Sequence, residues 1–159
     1  GHIIGWDSYH DQWMSEGFAE FSASLYVQFT RGNDKFYDFW EDLRKLIIEP
    51  SPATRDRKPY TVGPVTQGYR LNNGKTGGVA RRLIYRKGAF ILHMLRMMMY
   101  QQNKGGDARF QAMMKDFVQT HFNKDVSTED FKAIVEKHMT PEKLAELHKL
   151  IEQQERDAN

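Results

Sequence analysis

At 159 residues, with 40% hydrophobic residues, ten Phe, seven Tyr and three Trp, the chain is too apolar and aromatic to be disordered, and its length asks for no more than one domain. A formal net charge of +2 is too small for a nucleic-acid surface, so the loop cluster Arg55, Arg57 and Lys58 and the helical cluster Arg81, Arg82, Arg86 and Lys87 read as solvated basic faces. With no cysteine, disulfides and thiolate metal sites are excluded, any metal must be held by His, Asp or Glu, and no apolar run approaches the roughly 20 residues that span a bilayer.

The first helical signal runs from about Asp11 to Thr30, where Met14, Phe18, Phe21, Leu25 and Phe29 recur at three- and four-residue steps and are expected to face the core. Gly32 ends that pattern, and Asn33 or Asp34 is expected to cap a second helix over Lys35–Ile48 that buries Phe36, Phe39, Trp40, Leu43, Leu46 and Ile47. From Glu49 to Gly78, four of the five prolines and a series of glycines leave no sustained period. This reads as one long loop with turns at Gly63-Pro64 and Asn73-Gly74, facing a substrate or merely crossing the surface.

A third helix, from about Val79 to Gln102, is the most apolar stretch and is expected to sit centrally, its methionines Met94, Met97, Met98 and Met99 acting as core filler. A fourth is expected near Ala108–Phe122. Ser127 caps a fifth that runs through His138, and Pro141 opens a sixth. No strand and no internal repeat is expected.

The segment from Trp6 to Glu20 carries the chemistry. Glu16 and Glu20 are four apart on the first helix and project from one side, which Ala23 and Val27 continue inward. A buried carboxylate needs a cation, a hydrogen-bonded network or a metal, whereas on a surface helix both would simply be solvated. His93 lies among apolar residues and reads as a core histidine, and His10, His121, His138 and His148 have no mutual metal-binding spacing.

The run Trp13-Met14-Ser15-Glu16-Gly17-Phe18-Ala19 resembles the W-L-N-E-G-F-A signature of the membrane alanyl aminopeptidase family, thermolysin-like zinc metallopeptidases. Ser15 and Met14 stand where that family commonly has asparagine and leucine. Tyr85-Arg86-Lys87-Gly88-Ala89 resembles the family's Y-x-K-G-A segment, and Gly63-Pro64 through Leu71 resembles a further one. Beyond Gly105 the likeness is only in being helical.

The resemblance implies that Glu16 is the third zinc ligand, after two histidines of an H-E-x-x-H helix, the second of which would fall about four positions before Gly1. His2 is not at a ligand position. It implies that the Tyr85 hydroxyl donates to the developing oxyanion. Glu20 is a candidate to accept a hydrogen bond from a ligand histidine. The expected fold is all-α, the helical C-terminal part of a thermolysin-like catalytic domain, with five to six helices and one long loop in a single unit spanning residues 1–159.

The implied parent is a zinc aminopeptidase acting on peptides. A sister activity such as epoxide hydrolysis also fits, because the amine-binding G-x-M-E-N motif is not in this sequence. The isolated chain is expected to hold no stoichiometric zinc, to be inactive, and to self-associate through the surface that would meet the rest of the domain. The competing reading is a non-catalytic helical interaction module derived from the same fold. Compartment and side-chain preference are not legible.

Overall fold

The computed structural model describes residues 3–71, 73, 78–103 and 105–157. Gly1, His2 and Gly74 of the motifs above lie outside them. Two-residue strand β1 (Gly5–Trp6) leads into the long helix α1 (Gln12–Ile48), followed by three short 3-10 turns. A continuous helical rod then comprises α2 (Val79–Arg81), a π-helical segment (Arg82–Lys87) and α3 (Gly88–Met99). Helix α4 (Ala108–Thr120), strand β2 (Asp125–Val126), α5 (Thr128–His138) and α6 (Pro141–Asp157) complete an all-α fold of six helices.

Helix α1 is broken at Gly32, whose φ of 83° and ψ of 178° are non-helical. This is a backbone state that a residue with a Cβ adopts only at a cost. The expected helix break is there, but Asn33 does not cap the second half of α1, because its side-chain oxygen accepts from the Gln28 amide at 3.0 Å.

The break reverses the chain around the central rod. Along the first half of α1, Gly17 meets Gly88 and Gln28 meets Arg96, so the two run parallel. Along the second half, Phe36 and Trp40 meet His93, Trp40 meets Phe90, and Leu46 meets Arg82, so that half runs back antiparallel. The Arg82 guanidinium donates to the Leu46 carbonyl at 3.1 Å and to Ser51 Oγ at 2.9 Å, placing a cation on the carbonyls that end α1. The rod is thus clasped from two sides, and Leu83, Ile84, Ala89 and Leu92 are completely enclosed.

Three sequence expectations fail at the edges of this clasp. Phe29 is 90% exposed, not core-facing. Arg96, three residues before α3 ends, already reaches Gln28, so the partner surface runs out where the apolar period continues. Met94 and Met97 share a face of α3 that remains exposed, and only Met99 of the four methionines is deeply buried. Ala23 is exposed, so the side carrying Glu16 and Glu20 skirts the core instead of entering it.

The strands were also unexpected. β1 and β2 pair in parallel, Gly5 with Asp125 and Trp6 with Val126, and two residues leave no periodicity to read.

Helices α4 and α5 attach to the first half of α1 through aromatic rings. Phe18 stacks on Phe117 at 5.8 Å and meets the edge of Phe131 at 5.5 Å, while Phe21 meets Phe110 at 5.6 Å. Such offset and edge-on pairs add to the stabilisation from area burial. The long loop is anchored as well. His10 Nδ1 donates to the Thr66 carbonyl at 2.7 Å, and the Arg70 guanidinium lies 4.9 Å from the Tyr9 ring centre, which packs residues 65–71 against the turn before α1. Among the described residues, no helix is long and apolar enough to cross a membrane.

Candidate active site

The two segments that carry the resemblance meet where α1 crosses the central rod. A Cβ placed on Gly17 would lie 2.8 Å from the Gly88 carbonyl carbon, and one placed on Gly88 would lie 3.1 Å from both the Gly17 Cα and the Trp13 carbonyl oxygen. The backbones therefore touch, and no side chain fits between them. Glu16 immediately precedes Gly17 and Tyr85 lies three residues before Gly88, so both sit within one helical turn of the contact.

Glu16 and Glu20 are each partly buried. Neither accepts a hydrogen bond nor meets a cation at ion-pair distance among the described residues.

Tyr85 sits in the π-helical segment, partly buried and packed against the core. Its ring is flanked by the guanidinium carbons of Arg81 at 5.4 Å and Arg86 at 5.8 Å from its centre. Single π turns inside α-helices are uncommon and concentrate at functional sites. Nothing in the local sequence announces this one, because an i+5 backbone pattern has no side-chain signature of its own.

The approach to Glu16 is fixed by a residue that sequence reasoning treated only as a helix start. Asp11 is 5% exposed and makes no cap bond to its own helix. Its Oδ1 accepts from the Thr128 amide at 2.7 Å and the Thr128 hydroxyl at 2.8 Å, while its Oδ2 accepts from the Ser8 amide and hydroxyl at 3.1 and 2.6 Å. Burial alone would push its carboxyl up, but the bonds from Ser8 and Thr128 outweigh burial and hold it below the ordinary carboxylate range. Trp13 Nε1 donates to the same Thr128 hydroxyl at 3.0 Å. The start of α1 is thereby bonded to the start of α5, where Ser127 and Asp130 form their own capping box.

The remaining histidines have structural surroundings. His93 stacks on Trp40 at 4.4 Å, and burial pushes its imidazole below the ordinary value. His138 bonds Asp116 at 2.7 Å, His148 lies 3.4 Å from Glu136, and His121 packs on Phe117.

Among the described residues, no group of three His, Asp or Glu side chains could hold a metal ion. The described residues alone do not bring together the donors that a zinc ion needs. Glu16 offers one hard oxygen donor of the kind zinc accepts, and a site needs about three protein ligands.

Two apolar hollows lie on another side of α1. One, of about 450 Å³, is lined by residues including Ile4, Met14, Phe18 and Phe117, and the other, of about 440 Å³, by residues including Phe21, Leu25 and Phe110. Neither is lined by Glu16, Glu20 or Tyr85.

The model of the Peptidase family M1 domain matches residues 1–153, extending the likeness well past Gly105, where the motifs stop. Aminopeptidase A of Gloydius brevicauda is 28% identical over 132 residues, which is 82% of this chain and 12% of that protein. No solved structure matches the chain. Taken with the two motif segments that meet at the Gly17–Gly88 crossing, the match over nearly the whole length shows that the chain belongs to peptidase family M1.

Proposed function

We propose that this chain is the helical part of a zinc-dependent aminopeptidase site, contributing Glu16 as one metal ligand and Tyr85 as the oxyanion donor. The observation that carries the reading is the glycine-to-glycine crossing, which sets both residues within a turn of one point. A partly buried carboxylate without a cation costs free energy, and Glu16 has no cation at ion-pair distance among the described residues, which supports a role in holding a metal. When bound, zinc would act as a Lewis acid toward the peptide carbonyl and activate water.

Tyr85 serves the same reaction independently of the metal. As water adds to the carbonyl carbon, negative charge grows on the carbonyl oxygen, and the phenol O–H donates a hydrogen bond to it there. The π turn and the packing against the core hold the ring before substrate arrives, so little reorganisation is needed as the charge develops. Glu20, one turn beyond Glu16, would accept a hydrogen bond from an imidazole ligand and fix its orientation.

The test uses a protein in which this chain is joined to an H-E-x-x-H segment. Glu16→Ala is expected to abolish stoichiometric zinc by elemental analysis, and Glu20→Ala to weaken zinc affinity by about 10- to 100-fold. Tyr85→Phe is expected to keep the metal and lower kcat by roughly 10²–10³. Full zinc in Glu16→Ala, or an undiminished rate in Tyr85→Phe, removes that residue from its role.

A further inference from the structure

The chain has eight methionines and no cysteine, so thioether sulfur is all the sulfur it offers to an oxidant. The fold sorts these sulfurs by access. Met94 is 40% exposed and Met97 53%, whereas Met14, Met99 and Met139 are buried and Met113 is completely enclosed. Met98 and Met114 are partly buried and packed against the core. Met94 and Met97 are thus the two methionines that take no part in the core, and their spacing of three on α3 sets them on one side of the helix.

Oxidation has opposite consequences in the two groups. A sulfoxide is polar, and inside a packed region it disrupts the contacts that the apolar thioether made. Met14 shows what is at stake, because it follows Trp13, whose carbonyl lies at the glycine crossing, and precedes Glu16 by two residues. On Met94 or Met97 the added oxygen meets water and displaces no core contact.

We propose that Met94 and Met97 form a reversible oxidation site for peroxides, taking up oxygen ahead of the six packed sulfurs and so sparing the helix crossing. In the forward step the sulfur lone pair attacks one peroxide oxygen. The S–O bond forms as the O–O bond breaks, and the other oxygen leaves as water after a proton shift. Sulfur loses two electrons and the peroxide gains them. In the reverse step a methionine sulfoxide reductase removes the oxygen as water while two thiols become a disulfide, which requires an accessible side chain. Neither step uses the metal or Tyr85, so the proposal is independent of the peptidase reading.

The experiment treats the purified chain with hydrogen peroxide, in buffer and in concentrated urea, and follows each methionine by peptide mass spectrometry. In buffer, Met94 and Met97 are expected to convert about 10-fold faster than Met14, Met99, Met113 and Met139, which react only through local opening. In urea the rates should converge. Rates in buffer that do not favour Met94 and Met97 overturn the inference.

Urea unfolding then tests the protective role. The chain oxidised at Met94 and Met97 is expected to keep its midpoint. The double variant Met94→Leu, Met97→Leu, brought to the same oxygen uptake, is expected to unfold at lower urea than before treatment, because the oxygen then falls on packed sulfur. Leucine is close to methionine in volume, so the substitution itself is tolerated. A lowered midpoint in the first case, or an unchanged one in the second, overturns the protective role. Both epimer-specific reductases with dithiothreitol should restore the original mass at Met94 and Met97, and sulfoxides that resist them overturn its reversibility.

Discussion

The two ways in which other helices are fastened to the first half of α1 differ in kind. Against the central rod the contact is backbone on backbone at Gly17 and Gly88, with no intervening side chain to adjust. Against α4 and α5 it is a set of rings, Phe18, Phe117 and Phe131, plus the Asp11–Thr128 bonds. Rings can repack by small rotations, but touching backbones cannot. The residues assigned to chemistry lie on the rigid side, and the recognisable motifs are concentrated there too. Packing of the adaptable kind constrains side-chain identity less, which fits motif strings that stop before Gly105 while the family match runs on to residue 153.

This contrast can be broken by substitution. Gly17→Ala should be the most damaging, at about 3 kcal/mol, because its Cβ would press on the Gly88 backbone. Urea unfolding that showed no loss would mean the crossing is looser than described. Asp11→Ala should cost about 2 kcal/mol in the same measurement, since the Thr128 amide and the Ser8 hydroxyl lose their buried acceptor. A negligible change would show that α5 needs no such tie.

The smallest effects are expected in acid, and they separate the two regions. His93 has a folded-state value below its ordinary 6.5, so its contribution is complete above that pH and is lost progressively as pH falls beneath it. Asp116, bonded first by Lys137 and then by His138, is lowered from 3.8 to about 2, so its tie between α4 and α5 is complete above 3.8 and is lost as pH falls through about 2. His93→Phe should flatten the stability profile just below pH 6.5, and Asp116→Asn only the profile between 3.8 and about 2. Identical profiles for the two variants would erase the distinction.

Much of the fold was legible because local signals agreed with it. Gly32 broke the first long helix, Ser127 capped the fifth and Pro141 opened the last, each for a reason confined to a few neighbouring residues. Periodicity named faces but not where a partner ends, hence Phe29. It also could not say which sides of the rod are covered, hence Met94 and Met97.

The reach of Asp11 across to Thr128, the two-residue strands and the π segment depend on residues distant in sequence or on backbone pattern alone. Glu16 and Tyr85 were selected by resemblance to known motifs. Spacing alone marked Glu16 and Glu20 only as two acids sharing one side of a helix.

The short ladder between Gly5 and Asp125 sets an order of assembly. Contacts so far apart in sequence close slowly, and on a ribosome adding about 5–20 residues per second the partner strand emerges on the order of ten seconds after the first. The helix carrying Glu16 can settle on the central rod well before its leading segment is anchored. In a nascent chain the approach to this site is finished late, after nearly four-fifths of these residues have been made.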